Sequence, residues 1–211
     1  MNGEVHMAVG TATATGMALV IPQMQASDTK MLGLGIGCAI IGALMPDIDA
    51  NGESKIKKQF RKTLTFLLCG LVATFAYGYT TGSLASIINQ LVHTQAVIGL
   101  IGFLALSVIG YMSGHRQFTH WLLACVLFTV CWYIMFGQTL AIWFGLGYLS
   151  HTLIDLLNKK PIKLFFPLPL DVMFGICYAD SMMAKAIGGI CTGLTVVFIG
   201  MLTGVVTLGG F

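Results

Sequence analysis

The feature that most constrains this chain is a series of apolar runs, each about as long as the roughly twenty residues with which an α-helix spans a bilayer. Hydrophobic residues make up 56% of the sequence and charged residues only 9%. A soluble domain carries about 25% charged residues. Because so little charge is available to cover a water-exposed surface, we expect lipid to surround most of the chain. The sequence therefore predicts an all-α integral membrane protein.

The apolar runs predict about seven transmembrane helices in a single domain that covers residues 1–211. We place these spans at about 7–24, 31–46, 63–81, 87–112, 118–136, 139–157 and 184–207. Residues 158–183 are apolar but contain Pro161, Pro167 and Pro169, which oppose a continuous helix. This segment predicts an interfacial or re-entrant hairpin before the last span, or alternatively a short lid over a site.

Small residues recur within the predicted spans, as at Gly33, Gly35 and Gly37. They would allow helices to approach closely, and close packing drives helix association in lipid. The six cysteines include no CxxC pair, and most of them lie inside apolar runs. That placement favours small buried hydrophobic side chains over disulfides or a thiolate metal site.

The basic residues are distributed unevenly between the two ends of the predicted bundle. We call the end that carries the N-terminus face A. Ten of the eleven Lys and Arg residues fall in or beside loops on face A, and only Lys30 falls on the opposite face. The positive-inside rule then makes face A cytoplasmic and puts the C-terminus outside. We expect the basic loop at 50–62 to lie near anionic lipid headgroups, and we do not expect nucleic-acid binding.

Ionisable residues inside membrane spans are costly and tend to be functional. Seven candidates fall at the face-A ends of their predicted helices: His6, Asp47, Asp49, His115, His120, His151 and Asp155. Because successive spans alternate in direction, a random scatter would put about half of such residues on the other face. His93 does fall on the other face, and we interpret it as a polar anchor in the headgroup region. The coincidence of the seven predicts a single site.

The spacing of these residues suits a metal ion. His151 and Asp155 are four residues apart, so they share one helix face and could bind one ion, or one could orient the other. Asp47 and Asp49 could be two ligands, a bridging pair, or a ligand and a general base. Arg116 would place a fixed positive charge beside the metal, suited to a phosphate or carboxylate. Imidazole and carboxylate ligands suit zinc first, with manganese or iron as alternatives, and the number of candidates allows one or two divalent ions.

The same residues resemble the YdjM-like family of predicted membrane-bound metal-dependent hydrolases, whose best-known member is an SOS-regulated (LexA-type) bacterial inner-membrane protein. The resemblance rests on His6, PDID at 46–49, GHRQFTH at 114–120 and GYLSHTLID at 147–155. It implies a bacterial inner-membrane location. It also implies a metal site whose ligands come from these motifs, with Asp49 and Arg116 close by; the ligands are His6, Asp47, His115, His120, His151 and Asp155.

These observations lead to one functional hypothesis and two alternatives. The first is a metal-dependent hydrolase that acts on an amphiphilic, phosphate-bearing or ester lipid at the cytoplasmic face. In this hypothesis Asp49 is the general base, and Arg116 stabilises the developing negative charge. The alternatives are a transporter or channel for divalent metals or protons, and a non-catalytic scaffold in which a metal ties helix ends together.

Overall fold

The computed structural model describes residues 2–25, 28–49, 81–82, 94–113 and 116–206. Within these residues the chain forms six α-helices and no extended strand. The α-helices are α1 (Gly3–Ala18), α2 (Thr29–Leu44), α3 (Thr94–Ser113), α4 (Leu122–Phe136), α5 (Gln138–Asp155) and α6 (Met182–Leu202). Three short 3-10 turns accompany them at Pro22–Met24, Met45–Asp49 and Phe118–His120.

The helices agree with six of the predicted spans in order, but the structure does not support a count of seven. The span predicted at 63–81 lies almost entirely outside the described residues. In the described part of the chain, three helical segments are long and apolar enough to cross a membrane: Thr29–Ile48, Gln95–Ser113 and Met182–Leu202. Helix α4 is apolar but shorter. Helices α1 and α5 are less apolar because they carry polar residues that the bundle buries.

The first helix begins and ends earlier than predicted, at Gly3–Ala18 instead of about 7–24. The side chain of Asn2 caps the helix by accepting a hydrogen bond from the backbone N–H of Val5 at 3.1 Å. At the other end, Pro22 starts a 3-10 turn. This shift places His6 in the first turn of α1, where its position is fixed by helical backbone geometry.

Helix α5 lies at the centre of the bundle and packs against α1, α2 and α4. Its side chains Trp143, Phe144 and Tyr148 are fully buried. They join Phe128 and Trp132 of α4 in an aromatic core, where the Trp132 and Phe144 rings stack 4.4 Å apart. The aromatic core fills the bundle on the side of α5 that faces α4.

Glycines bring α2 and α5 into close backbone contact. A Cβ added at Gly42 would overlap the carbonyl oxygen of Phe144, and one at Gly147 would overlap the carbonyl oxygen of Ala39. Gly35 packs directly against the Trp143 ring, whereas a Cβ added at Gly33 or Gly37 would have no described atom of another element within 4 Å. Small residues thus allow the backbones of α2 and α5 to pack closely, as helix association in lipid requires.

Helices α3 and α6 present apolar side chains outward. Ile101 of α3 and Val196 of α6 are 62% and 67% exposed. Such apolar surface is suited to lipid and not to water. The first turns of α1 and α6 meet the end of α5 in a small cluster of Val5, Ile154, Cys177 and Ala184. The beginning of α1, the end of α5 and the beginning of α6 therefore share one end of the bundle.

Between α5 and α6 the chain is not helical, as its prolines predicted. Ile162 and Val172 form an antiparallel pair through two backbone hydrogen bonds of 3.1 and 3.0 Å. We call residues 159–178 the hairpin. It packs against the turn before α4, because the backbone N–H of Leu122 donates to the carbonyl of Leu164 at 3.3 Å. The Phe166 ring also contacts the Phe118 ring.

A candidate metal centre at one end of the bundle

Five ionisable residues reach one point because each lies at the end of its helix. His6 lies in the first turn of α1, and Asp47 lies in the 3-10 turn that follows α2. His120 ends the 3-10 turn before α4. His151 and Asp155 lie four residues apart in the last turns of α5, so their side chains project from the same face. Helix direction therefore brings all five to the same end of the bundle.

The carboxylate of Asp155 is the centre of this cluster, with the side chain only 1% exposed. Its Oδ1 lies 3.2 Å from Nε2 of His6. Its Oδ2 lies 3.3 Å from Nε2 of His120 and 3.3 Å from a terminal guanidinium nitrogen of Arg116. A buried carboxylate needs such partners, because burying an unpaired charge is costly.

His151 joins Asp155 to the second carboxylate. Its Nε2 lies 3.7 Å from Oδ1 of Asp47 and 3.9 Å from Oδ2 of Asp155. The His151 ring also stacks on His6, with centroids 3.6 Å apart and planes 14° apart. These contacts make the cluster one connected group of three imidazoles and two carboxylates.

A backbone hydrogen bond orients His151 for metal binding. Its Nδ1 lies 2.6 Å from the carbonyl oxygen of Ala43. Because a carbonyl only accepts, Nδ1 must carry the proton and donate it, and the lone pair of a neutral ring then lies on Nε2. That atom faces Asp47 and Asp155. Metal-binding histidines are commonly oriented in this way.

Residues behind the cluster hold His120. The hydroxyl of Thr119 lies 3.2 Å from Nδ1 of His120. The Tyr148 hydroxyl, one turn before His151 on α5, donates to the carbonyl of Thr119 at 2.5 Å. Helix α5 therefore supplies two members of the cluster and also fixes the turn that carries a third.

The donor atoms fit a divalent cation. Two overlapping groups have all their ligand atoms within 4.8 Å of one another: His6, His151 and Asp155, and Asp47, His120 and His151. Ligands about 2.0–2.2 Å from a tetrahedral ion lie about 3.4 Å from each other, close to the distances found here. Nδ1 of His6 and Nε2 of His151 are also buried with no hydrogen-bond partner among the described residues. A bound ion would satisfy buried nitrogen atoms of this kind, so the cluster could hold a metal ion.

The structure brings together most of the residues singled out in the sequence: His6, Asp47, Arg116, His120, His151 and Asp155. His115 lies outside the described residues. The backbone of Asp49 belongs to the Met45–Asp49 turn, two residues from Asp47, and its side chain lies outside the described part. The side-chain positions of His115 and Asp49 are therefore not among the described features.

Arg116 connects the cluster to the hairpin. One terminal nitrogen pairs with Asp155, and the other donates to the carbonyl oxygen of Lys160 at 2.6 Å. The backbone carbonyl of Arg116 accepts from the N–H of Lys163 at 3.1 Å. Arg116 also has a positive φ of 66°, a backbone conformation that non-glycine residues rarely adopt. These contacts hold Arg116 in this rarely adopted backbone conformation, beside the buried carboxylate of Asp155.

A comparison with protein families matches this chain to the YdjM inner membrane protein family over residues 1–209. The chain belongs to this family. It is also 28% identical over 107 residues to the uncharacterized protein YvsG of Bacillus subtilis (strain 168), an alignment that covers 47% of this chain and 67% of YvsG. No solved structure matches the chain.

The family assignment confirms the resemblance found in the sequence motifs, and the apolar helices agree with an inner-membrane family. Sequence reasoning missed the residues that orient the ligands. The Ala43 carbonyl is a backbone atom and has no sequence signature. Tyr148 lies three residues before His151 and could have been found as a polar group on the same face of α5.

Proposed function

We propose that this protein is a membrane-embedded metal-dependent hydrolase that acts on an amphiphilic lipid phosphoester or ester at the cytoplasmic face of the inner membrane. The observation that carries the proposal is the buried Asp155 carboxylate, which three imidazoles and one guanidinium approach at a single end of the bundle. Buried ionisable groups with this donor chemistry suit a catalytic metal centre.

The ligand set favours zinc, with manganese or iron as alternatives. Three imidazole and two carboxylate groups are hard-to-borderline donors, and no cysteine belongs to either ligand group among the described residues. The two groups share His151, which allows one or two ions. An ion at this position would supply Lewis acidity toward a scissile carbonyl or phosphoryl group and would activate water for attack.

The protein's own residues have separate roles in this proposal. His6, Asp47, His120, His151 and Asp155 would hold the metal, with His115 as a further predicted ligand. Asp49 is our candidate general base because it lies in the same turn as Asp47. Arg116 positions Asp155, and its positive charge would stabilise negative charge that develops on the substrate.

The packing favours a site that opens at one end over a path through the bundle. Tyr148 and Phe144 follow His151 toward the opposite end of α5, and both are fully buried. The Tyr148 ring stacks on Phe128 with centroids 5.7 Å apart. On α1 the buried hydroxyls of Thr11 and Thr15 donate to carbonyls of their own helix. The aromatic packing along α5 therefore supports a hydrolase over a transporter, which would need a continuous line of polar groups on the far side of the site.

The site's surroundings support a lipid substrate. The cluster lies at a helix end, the level at which lipid headgroups are found. The adjacent hairpin exposes apolar side chains such as Phe165 and Leu168. An amphiphile could present its polar group to the metal while its acyl chains stay in lipid.

The test is release of fatty acid or phosphate from defined phospholipids by purified protein in nanodiscs, with added zinc or manganese and with chelator. We expect metal-dependent turnover that His120→Ala abolishes. Thr129→Val is the matched control, since that hydroxyl donates only to its own helix, at Cys125, among the described residues. Retained metal without turnover of any lipid would refute the hydrolase proposal, and zinc flux into proteoliposomes would support a transporter instead.

A further inference from the structure

The hairpin carries an apolar surface that the other described residues leave exposed. Six large side chains of this segment are each between 46% and 66% exposed: Phe165, Leu168, Leu170, Met173, Phe174 and Ile176. In water this surface would be unfavourable. Since the hairpin is joined to α5 and α6 at the end of the bundle, the adjacent lipid is the partner within reach.

The backbone of the hairpin restricts how deep it can lie. Non-helical backbone that faces the hydrocarbon core leaves N–H and C=O groups without partners, which is strongly unfavourable. Several N–H groups of this segment, including those of Ile162 and Val172, donate to backbone carbonyls. The exposed residues Leu170, Asp171 and Met173 have no such backbone partner for their N–H groups among the described residues. The hairpin is therefore suited to the headgroup layer, where water and lipid headgroups can satisfy the remaining backbone groups.

The charges of the hairpin complement an anionic headgroup layer. Three lysines and one aspartate between residues 159 and 178 leave a net charge of +2. Lys163 pairs with Asp171 at 3.2 Å, whereas Lys159 and Lys160 are exposed. The Lys159 ammonium lies 4.2 Å above the ring of Tyr178, and tyrosine is typical of the membrane interface. Two lysines and an aromatic ring thus lie together beside the apolar surface.

We propose that the hairpin is a docking surface for anionic phospholipid, with Lys159 and Lys160 at the headgroups and the apolar side chains among the upper acyl chains. The surface lies next to the candidate metal centre, because Arg116 contacts both the Lys160 carbonyl and Asp155. Lipid bound there would have its headgroup near the site. This binding goes beyond the proposed function, because it requires neither a metal nor hydrolysis.

The depth of the hairpin can be measured by tryptophan quenching in nanodiscs that contain lipids brominated at shallow or deep acyl positions. For Phe174→Trp, corrected for the native tryptophans, we expect at least twofold stronger quenching by shallow bromines than by deep ones. Ile101→Trp, at the middle of α3, is the control and should show the reverse order. Deep quenching of Phe174→Trp would overturn the proposal in favour of a re-entrant segment, and absence of quenching would overturn it in favour of a water-exposed lid.

The charge requirement is tested by titrating metal-free protein in detergent with fluorescent phosphatidylglycerol and phosphatidylcholine. We expect the wild type to prefer phosphatidylglycerol, and Lys159→Gln/Lys160→Gln to weaken that binding about fivefold or more. Lys30→Gln is the control. Because Lys30 lies at the start of α2, away from the end that leads to the candidate metal centre, this variant should leave phosphatidylglycerol binding unchanged. Equal binding of both lipids, or wild-type affinity in the double variant, would overturn the proposal. Because no turnover is measured, failure of the hydrolase proposal leaves this result intact.

Discussion

Helices α5 and α6 are close in length, but α5 buries polar side chains whereas α6 exposes apolar ones. The last turns of α5 bury Ser150, His151, Thr152 and Asp155, and each of these is at most 5% exposed. Helix α6 buries only Ala184 and Gly188 and exposes large apolar side chains such as Ile190. In a lipid-surrounded bundle the polar residues of a central helix lie inside, where other protein groups can satisfy them.

This contrast shows why apolarity alone does not identify the helix that carries the candidate site. Helix α6 passes as a membrane span by length and hydropathy, whereas α5 does not. Yet α5 carries His151, Asp155 and the tyrosine that fixes the His120 turn. The contrast also predicts a gradient of mutational effects, from the buried end of α5 to the outer face of α6.

The largest effect is expected at Asp155. Asp155→Asn keeps the shape of the side chain but removes the charge that three imidazoles approach. Because the carboxylate contacts both ligand groups, we expect metal affinity to fall at least about 100-fold. Isothermal titration with zinc measures this change. Wild-type zinc affinity in the variant, with unchanged thermal stability, would show that Asp155 is not the central ligand of the site.

The close contact between α2 and α5 gives the next effect. Gly42→Ala would push a methyl group into the Phe144 carbonyl, so we expect the free energy of unfolding to fall by about 1–3 kcal/mol. Gly37→Ala on the same helix is the control, because a Cβ there has no described neighbour within 4 Å. Unfolding in detergent by heat or denaturant compares the two. Equal stability of both variants would contradict the packing described for α5.

A smaller effect is expected behind the ligands. Thr119→Val removes the hydroxyl that lies 3.2 Å from Nδ1 of His120. Loss of an orienting partner of this kind lowers metal affinity by about 10-fold or more. Thr129→Val in α4 serves as the control, since its hydroxyl donates to Cys125 in the same helix. If zinc titration gives the same affinity for both variants, the Thr119 contact does not position His120.

The smallest effect is expected on the outer face of α6. Val196→Leu keeps an apolar side chain at a position that is 67% exposed, so stability should change by less than about 0.5 kcal/mol. Zinc affinity should not change. A large loss in either measurement would mean that this face contacts something other than lipid, and it would weaken the contrast with α5.

The sequence predicted the candidate site better than it predicted the boundaries of the helices. The four-residue spacing of His151 and Asp155 and the proline before Asp47 were enough to bring these residues to one end. The first helix was placed several residues too late, because an asparagine cap and a 3-10 turn set its limits. Helix ends depend on such local hydrogen bonds, and these cannot be inferred from the apolar runs of the sequence.

Contacts that depend on how the helices pack could not be predicted. The hydrogen bond from His151 to Ala43 joins α5 to a backbone carbonyl at the end of α2. The pairing of Arg116 with the Lys160 carbonyl joins residues 44 positions apart. Both follow from close packing of particular glycines and from the path of the hairpin, and neither leaves a pattern in the linear sequence.

The central claim is that the histidines and aspartates at this end of the bundle bind a metal. X-ray absorption spectroscopy of the purified, zinc-loaded protein tests it most directly. The structure predicts nitrogen and oxygen ligands at about 2.0–2.1 Å with imidazole scattering, and loss of an imidazole in His151→Ala. Sulfur ligands at about 2.3 Å, or zinc that is lost on desalting, would contradict the claim.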